Sequence, residues 1–301
     1  MPTRSEFRPG GDWGARPAGP QRSVFPNYQP AEDGTMADPG QGTPPGSGPA
    51  EAEVRERTDL ALARSFVYRV LAAALADPRP DTWAWLSDAG VETAFARAWS
   101  LAGCRSQEPV RFDPEGFARY REAYEAAFGH AARGICPINE IEYGLLHADP
   151  LYHPHRLADL AGFYRAFGME LAGDADERPD HASVELEFLC VLAAKEAWFW
   201  RQGAPEEPLQ LCRDAQRKFL REHAAQWLPA FARRLEQFTT EPMLRGVARC
   251  THRFVAEECR RFQIAPGSDE LGLRPVNEAL ERLCASCGLA AMPPGAGAPP
   301  T

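Results

Sequence analysis

The sequence predicts an all-α fold: a helical bundle of two packed halves joined by a hinge loop and preceded by a disordered arm. Three observations lead there. Apolar residues recur at three- and four-residue spacing from about residue 51 onward. Proline, glycine and Asp-Pro pairs punctuate that pattern at helix-length intervals. The alternating Val, Ile and Thr stretches that mark strands are absent.

The elements follow in order. Leu60, Val67, Val70, Leu71, Ala74 and Leu75 form one face of a first helix, which Asp77-Pro78 ends. Asp81 is placed to cap a second that turns Trp83, Leu86, Phe95 and Trp99 inward and closes near Gly103. Asp113-Pro114 opens a third carrying Phe117, Tyr120, Tyr124 and Phe128. After Cys136-Pro137, a short helix is expected from Ile138 to His147, and another from about Pro154 to Phe167, closed by Gly168. An apolar helix runs from Asp180 to about Trp200, a long amphipathic one follows Pro208 through Phe238, and Thr240 is placed to cap a last one ending near Phe262.

Residues 1–50 hold ten Pro and nine Gly and show no helical or strand period. Such a segment buries too little apolar surface to offset chain entropy, so it reads as a disordered arm, with 51–289 as the all-helical domain and 290–301 as a loose tail. No apolar run is long enough to cross a bilayer, and no apolar stretch of an export signal follows the basic start. The expected place of work is the cytoplasm, where the eight scattered cysteines read as reduced thiols.

Charge is concentrated. The formal net charge is −9, and between Ile135 and Cys190 eleven acids meet three bases, Arg156, Arg165 and Arg178. A negative field of this kind disfavours phosphate backbones and favours a cationic partner, which argues against nucleic-acid binding. The acids crowd around Glu177-Arg-Pro-Asp180-His181, a charged loop opening a helix that is apolar nearly all round. Asp180 reads as that helix's N-cap. Glu185 and Glu187 project from faces otherwise suited to burial, where a carboxylate must find a cation, several donors or a proton. His181 and nearby arginines are candidate partners.

This stretch resembles the TorD/DmsD/NarJ family of molybdoenzyme maturation chaperones. Glu177, Asp180 and His181 match the family's Glu-x-x-Asp-His signature residue by residue. Tyr124 to Phe128 is similar to its aromatic-x-x-Leu-Phe motif, with Ala127 where the family favours Leu. Pro137-Ile-Asn-Glu140-Ile-Glu-Tyr143 resembles its Pro-x-x-Glu-x-x-Tyr segment, and Phe219 to Trp227 a further one, so that the resemblance covers roughly Ala63 to Phe262. It implies a hinge near 173–180 between the two halves. It also implies a chaperone that binds the twin-arginine signal peptide and the immature catalytic subunit of a molybdopterin oxidoreductase, assists cofactor insertion and delays export. The implied contact residues are Glu177, Asp180 and His181 at the hinge, with Tyr124, Phe128, Glu140 and Tyr143 as groove neighbours. Stable membrane insertion is not implied, and a homodimer stays open.

The rival constellations are thinner. Cys284-Ala-Ser-Cys287 is a lone pair without a second pair to complete a zinc site, and His153-Pro-His155 with His147 and Asp149 lacks the regular helical spacing of a ligand pair. They support an alternative, a small all-α metal- or cofactor-binding protein. No phosphate loop, nucleophile elbow or dinucleotide turn is present, and Ser183 and His181 face different sides of a helix, so neither an enzyme nor a resident cofactor is expected. Tyr164 and Trp200 are candidate groove walls.

Overall fold

The computed structural model describes residues 49–129, 135–144, 152–171 and 177–274. Among these, helices α1 (Pro49–Leu75), α2 (Pro80–Leu86), α3 (Ala89–Leu101), α4 (Phe117–Phe128), α5 (Tyr152–Ala166), α6 (Ala182–Gln202), α7 (Glu206–Glu222), α8 (Ala224–Phe238) and α9 (Pro242–Phe262) alternate with two short 3-10 turns, Pro114–Gly116 and Glu140–Glu142. No named strand occurs among the described residues, and the fold is all-α as the periodicity requires. All but two residues of the 1–50 arm, the hinge positions before Glu177 and the 290–301 tail lie outside the described residues; α1 already begins at Pro49.

The apolar helix α6 is the axis. It runs closely along α1 and also packs on α7 and α8, while α8 lies along α9 and α9 reaches back to α1 and α4. One contiguous core results, from Leu71 and Trp99 through Phe188 and Phe219 to Phe231 and Phe254. The six described cysteines are free and buried in it.

Several boundaries differ from the periodicity, each for a local reason. Asp81 does not cap α2: Arg79 holds the cap position ahead of Pro80, and Asp81 accepts from its neighbour Thr82. The stretch expected as one helix to Gly103 is two, because Asp88 accepts from the Gly90 and Val91 amides and starts α3 afresh. Glu241, not Thr240, caps α9 through the Leu244 amide at 2.6 Å. Among the described residues 138–144 only the 3-10 turn Glu140–Glu142 stands where a helix from Ile138 to His147 was expected, and positions 145–147 lie outside them.

The long amphipathic helix breaks at His223, whose backbone (φ −128°, ψ −98°) leaves helical space while its imidazole is drawn into the interior. Six residues later Pro229 sits inside α8, where it removes the amide that would bond the Ala225 carbonyl. The Gly267 amide takes that carbonyl instead, at 2.7 Å. Only glycine fits there, since a Cβ at 267 would lie 2.0 Å from the Gln226 carbonyl oxygen. The chain after α9 is thereby stitched onto α8 and runs on to the site.

Candidate recognition site

Two extended segments meet at the mouth of α6. Glu140 donates its amide to the Asp180 carbonyl at 2.8 Å, and Ala182 donates to the Ile138 carbonyl at 3.0 Å. On the other edge Gly144 donates to Gly272 and Arg274 to Glu142. Tyr143 donates its hydroxyl to the Pro137 carbonyl and Tyr164 donates to the Pro179 carbonyl, at 2.8 and 2.6 Å. The Glu177–His181 loop is therefore annealed to the 136–144 segment.

This pairing brings three carboxylates into the interior. Asp180 is fully buried; Arg178 donates to both its oxygens, at 3.0 and 3.1 Å, and the Ile141 amide adds a third donor at 3.3 Å. Burial nonetheless pushes the Asp180 carboxyl above its ordinary range, against the pull of Arg178. Glu140 accepts from Arg156 Nε at 2.8 Å and lies 3.2 Å from His223 Nδ1. Arg156 also donates to the Glu222 carbonyl, and His223 Nε2 lies 3.2 Å from Asp159. The Glu185 carboxylate accepts from the Trp227 indole N–H, at 3.2 and 3.1 Å to its two oxygens. Burial, with Glu140 and Asp180 nearby, drives its carboxyl well above the usual glutamate range.

The expected roles shift accordingly. His181, not Asp180, is the N-cap of α6: its Nδ1 accepts from the Ser183 amide and lies 2.7 Å from Ser183 Oγ, so the two side chains meet rather than diverge. Burial, assisted by Arg178, lowers the imidazole to about 3, so it is neutral and supplies no cation to Glu185. Asp180 instead turns inward to accept from Arg178 and Ile141.

The structure brings Glu140, Tyr143, Asp180 and His181 together and links Tyr124 and Phe128 to them through an aromatic row. Tyr124 donates to the Leu75 carbonyl, Phe128 stacks on Phe231, and Phe231 and Trp227 pack against Tyr143. All six are buried, and Glu177 alone of the expected set is partly exposed. Among the described residues the carboxylates do not form an open acidic mouth: Arg178 covers Asp180 and Arg156 covers Glu140. Tyr164 is buried, while Trp200 lies half-buried with the Arg57 guanidinium 4.7 Å from its ring centroid. Beyond the aromatic row the surface turns apolar again at Ile135 and Phe238, 59% and 52% exposed, with Arg234 between them.

Arg156, Asp159, His223 and Trp227 were not singled out as partners of these acids by the sequence. The only hint was the Phe219 to Trp227 segment, because such partners lie 16 to 83 residues away along the chain. Of the rival ligands, His155 is exposed, while Cys284, Cys287, His147 and Asp149 lie outside the described residues. No metal-sized group of His, Cys, Asp and Glu occurs among the described ones.

The family model described as nitrate reductase delta subunit matches residues 89–233, a span that holds the whole constellation. The perchlorate reductase assembly chaperone protein of Dechloromonas aromatica is 32% identical over 182 residues, 58% of this chain and 79% of the relative. The chain belongs to the TorD/DmsD/NarJ family of maturation chaperones. The dimethyl sulfide dehydrogenase assembly chaperone protein of Rhodovulum sulfidophilum is 33% identical across 64% of this chain and 79% of its own length. The selenate reductase assembly chaperone protein of Thauera selenatis reaches 46%, over 27% of this chain and 40% of the relative. All three relatives are named as assembly chaperones rather than as enzymes. No helix among the described residues is long and apolar enough to cross a membrane.

Proposed function

We propose that this chaperone acts in the cytoplasm on a molybdopterin oxidoreductase, binding the twin-arginine leader and the immature body of the catalytic subunit until its cofactor is in place. The observation that carries this reading is the acid-rich join at the mouth of α6. There Glu140, Asp180 and Glu185 lie beside an aromatic row that leads out to exposed Ile135 and Phe238. A leader with a basic head and an oily helical body is complementary to carboxylates bordering apolar surface. Charge would steer the encounter, and apolar contact would supply most of the affinity. In this reading Glu177 is the outermost anchor. Glu140 and Asp180 are the deeper acceptors for the basic head, His181 and Tyr143 hold the loop in register, and Tyr124 and Phe128 back the aromatic row.

Titration calorimetry with the leader peptide of the cognate enzyme tests it. Binding should weaken as salt rises, because exposed charge is screened within about 10 Å at 0.1 M. A chain that binds neither leader nor the subunit before cofactor insertion would defeat the reading. Sedimentation of the same samples shows whether one chaperone or a homodimer carries the client.

A further inference from the structure

We propose that Arg156 and Arg178 are internal stand-ins for the two guanidinium groups of the leader, keeping Glu140 and Asp180 occupied until the leader displaces them. This rests on the leader-binding reading above and adds how that site is held before a client arrives.

Four observations support the stand-in. First, the two acceptors are neighbours, since the Glu140 amide donates to the Asp180 carbonyl. Two carboxylates on directly paired residues thus each already hold one guanidinium group.

Second, each carboxylate is more deeply buried than its cover. Asp180 and Glu140 side chains are 0% and 3% exposed, while the Arg178 and Arg156 side chains are 44% and 21% exposed. Each guanidinium thus stands between a buried acid and the surface.

Third, Arg178 grips both oxygens of Asp180 as a fork, from only two residues away. An incoming arginine can repeat that geometry and leave Asp180 with the same charge-assisted bonds, so the exchange costs the acid nothing. A lysine cannot repeat it.

Fourth, Arg156 is carried by α5, which is fastened differently from the rest of the bundle. Its Phe163, Tyr164 and Phe167 reach Phe188 by ring contacts, and Lys195 holds the Phe167 carbonyl. The backbones of α1 and α6 run close together over many residues, and α5 has no such close partner among the described elements. The Arg156 side chain, 21% exposed, can be displaced by its own rotation while Leu160 and Tyr164 keep α5 in the core.

An uncovered pair of buried carboxylates would be unfavourable as charges and would have to admit water or take up protons. A chaperone that waits for its client needs a substitute cation, and these two arginines supply it. The cost of displacing them lowers the apparent affinity for the leader.

The test uses the full chain and two synthetic peptides, one with adjacent arginines ahead of an apolar helix-forming stretch, the other with lysines in their place. Calorimetry compares wild type with Arg178→Gln, Arg156→Gln and the double variant, each checked for intact folding by circular dichroism and thermal melting. Arg178→Gln should bind the arginine peptide about fivefold or more tightly than wild type, the double variant more tightly still, and the lysine peptide should gain less. Unchanged or weaker binding of the arginine peptide by folded Arg178→Gln overturns the stand-in. If Arg156→Gln loosens the fold through its lost bond to Glu222, Arg178→Gln decides alone. Wild-type binding that these substitutions leave unmoved removes only the stand-in. Failure of wild type and variants to bind either peptide removes the leader-binding reading together with it.

Discussion

Two buried polar networks hold this chaperone together, and they differ in charge balance. Where α1, α6, α7 and α9 meet, Arg64 donates to both oxygens of Glu258, to Glu196 at 2.8 Å and to Gln216 at 2.6 Å. Tyr68 and Arg261 add donors to Glu258, and Gln216 donates to Glu196 at 2.9 Å. Burial pushes the Glu258 carboxyl upward, but Arg64, Arg261 and Tyr68 outweigh it and hold it below its ordinary range. At the mouth of α6, Glu140, Asp180 and Glu185 are equally buried, yet Asp180 and Glu185 are pushed upward. The first network is closed on itself and locks the bundle. The second has more acid than its surroundings answer, so its carboxyls keep a proton more readily than ordinary ones.

The largest loss is expected at Arg64. Arg64→Ala leaves Glu258 and Glu196 buried with their principal cation gone, and breaking such a pair typically costs about 3–5 kcal/mol. Urea unfolding at neutral pH should show a loss of that order. A loss under about 1 kcal/mol would mean that the network is not what locks the four helices.

At the other network pH is the sharper tool, and Glu185→Gln is the variant to use. In the folded chain the Glu185 carboxyl keeps its proton to higher pH than it does unfolded. Stability from this group is therefore fully present below the ordinary glutamate pKa and is lost as pH rises through the raised folded value. Glutamine cannot ionise and can still accept from Trp227. Glu185→Gln should gain stability relative to wild type from pH 5 to 8, with the two curves converging toward pH 4.5 and below. Parallel curves across that range would show that Glu185 ionises as freely folded as unfolded.

Much of the fold was legible because helix periodicity and Asp-Pro or Gly punctuation are local properties. The α4, α6 and α9 segments and the Gly168 stop all follow from residues within one or two turns. What escaped was decided by distant residues. The break at His223 depends on Glu140, 83 positions away, and Pro229 is tolerated because Gly267 supplies the missing donor. The acids of the candidate site were likewise visible as a run of charge. Their covering was legible only in part, since Arg178 lies two residues from Asp180 but Arg156 and Trp227 come from helices whose packing no local pattern specifies. A motif thus located the constellation without revealing that its side chains point inward.

Smaller effects are expected at the edge of the same site. Arg178→Gln removes a guanidinium that is 44% exposed, so water reaches the vacated place, and Asp180 retains the Ile141 amide or takes a proton. A change of about 1 kcal/mol or less is expected in the urea experiment, against the several for Arg64→Ala. Equal losses at the two arginines would erase the distinction between locked and exchangeable networks.

The smallest change at neutral pH is expected for His181→Asn. Asparagine is a good N-cap, so the Ser183 amide keeps an acceptor and stability at pH 7 should stay within about 1 kcal/mol of wild type. The two chains should separate only in acid. Unfolded histidine takes up a proton near 6.5, whereas the folded imidazole, held neutral by burial and by Arg178, resists until about 3. Its contribution is therefore present above the unfolded pKa and lost as pH falls through the folded one. Wild type should lose stability between pH 6.5 and 3 more steeply than His181→Asn, in thermal melts taken at half-unit steps. The same acid slope in both would place that loss elsewhere, in carboxylates such as Glu258 whose pKa is lowered by folding, and would return the acid sensitivity of the chain to the locked network.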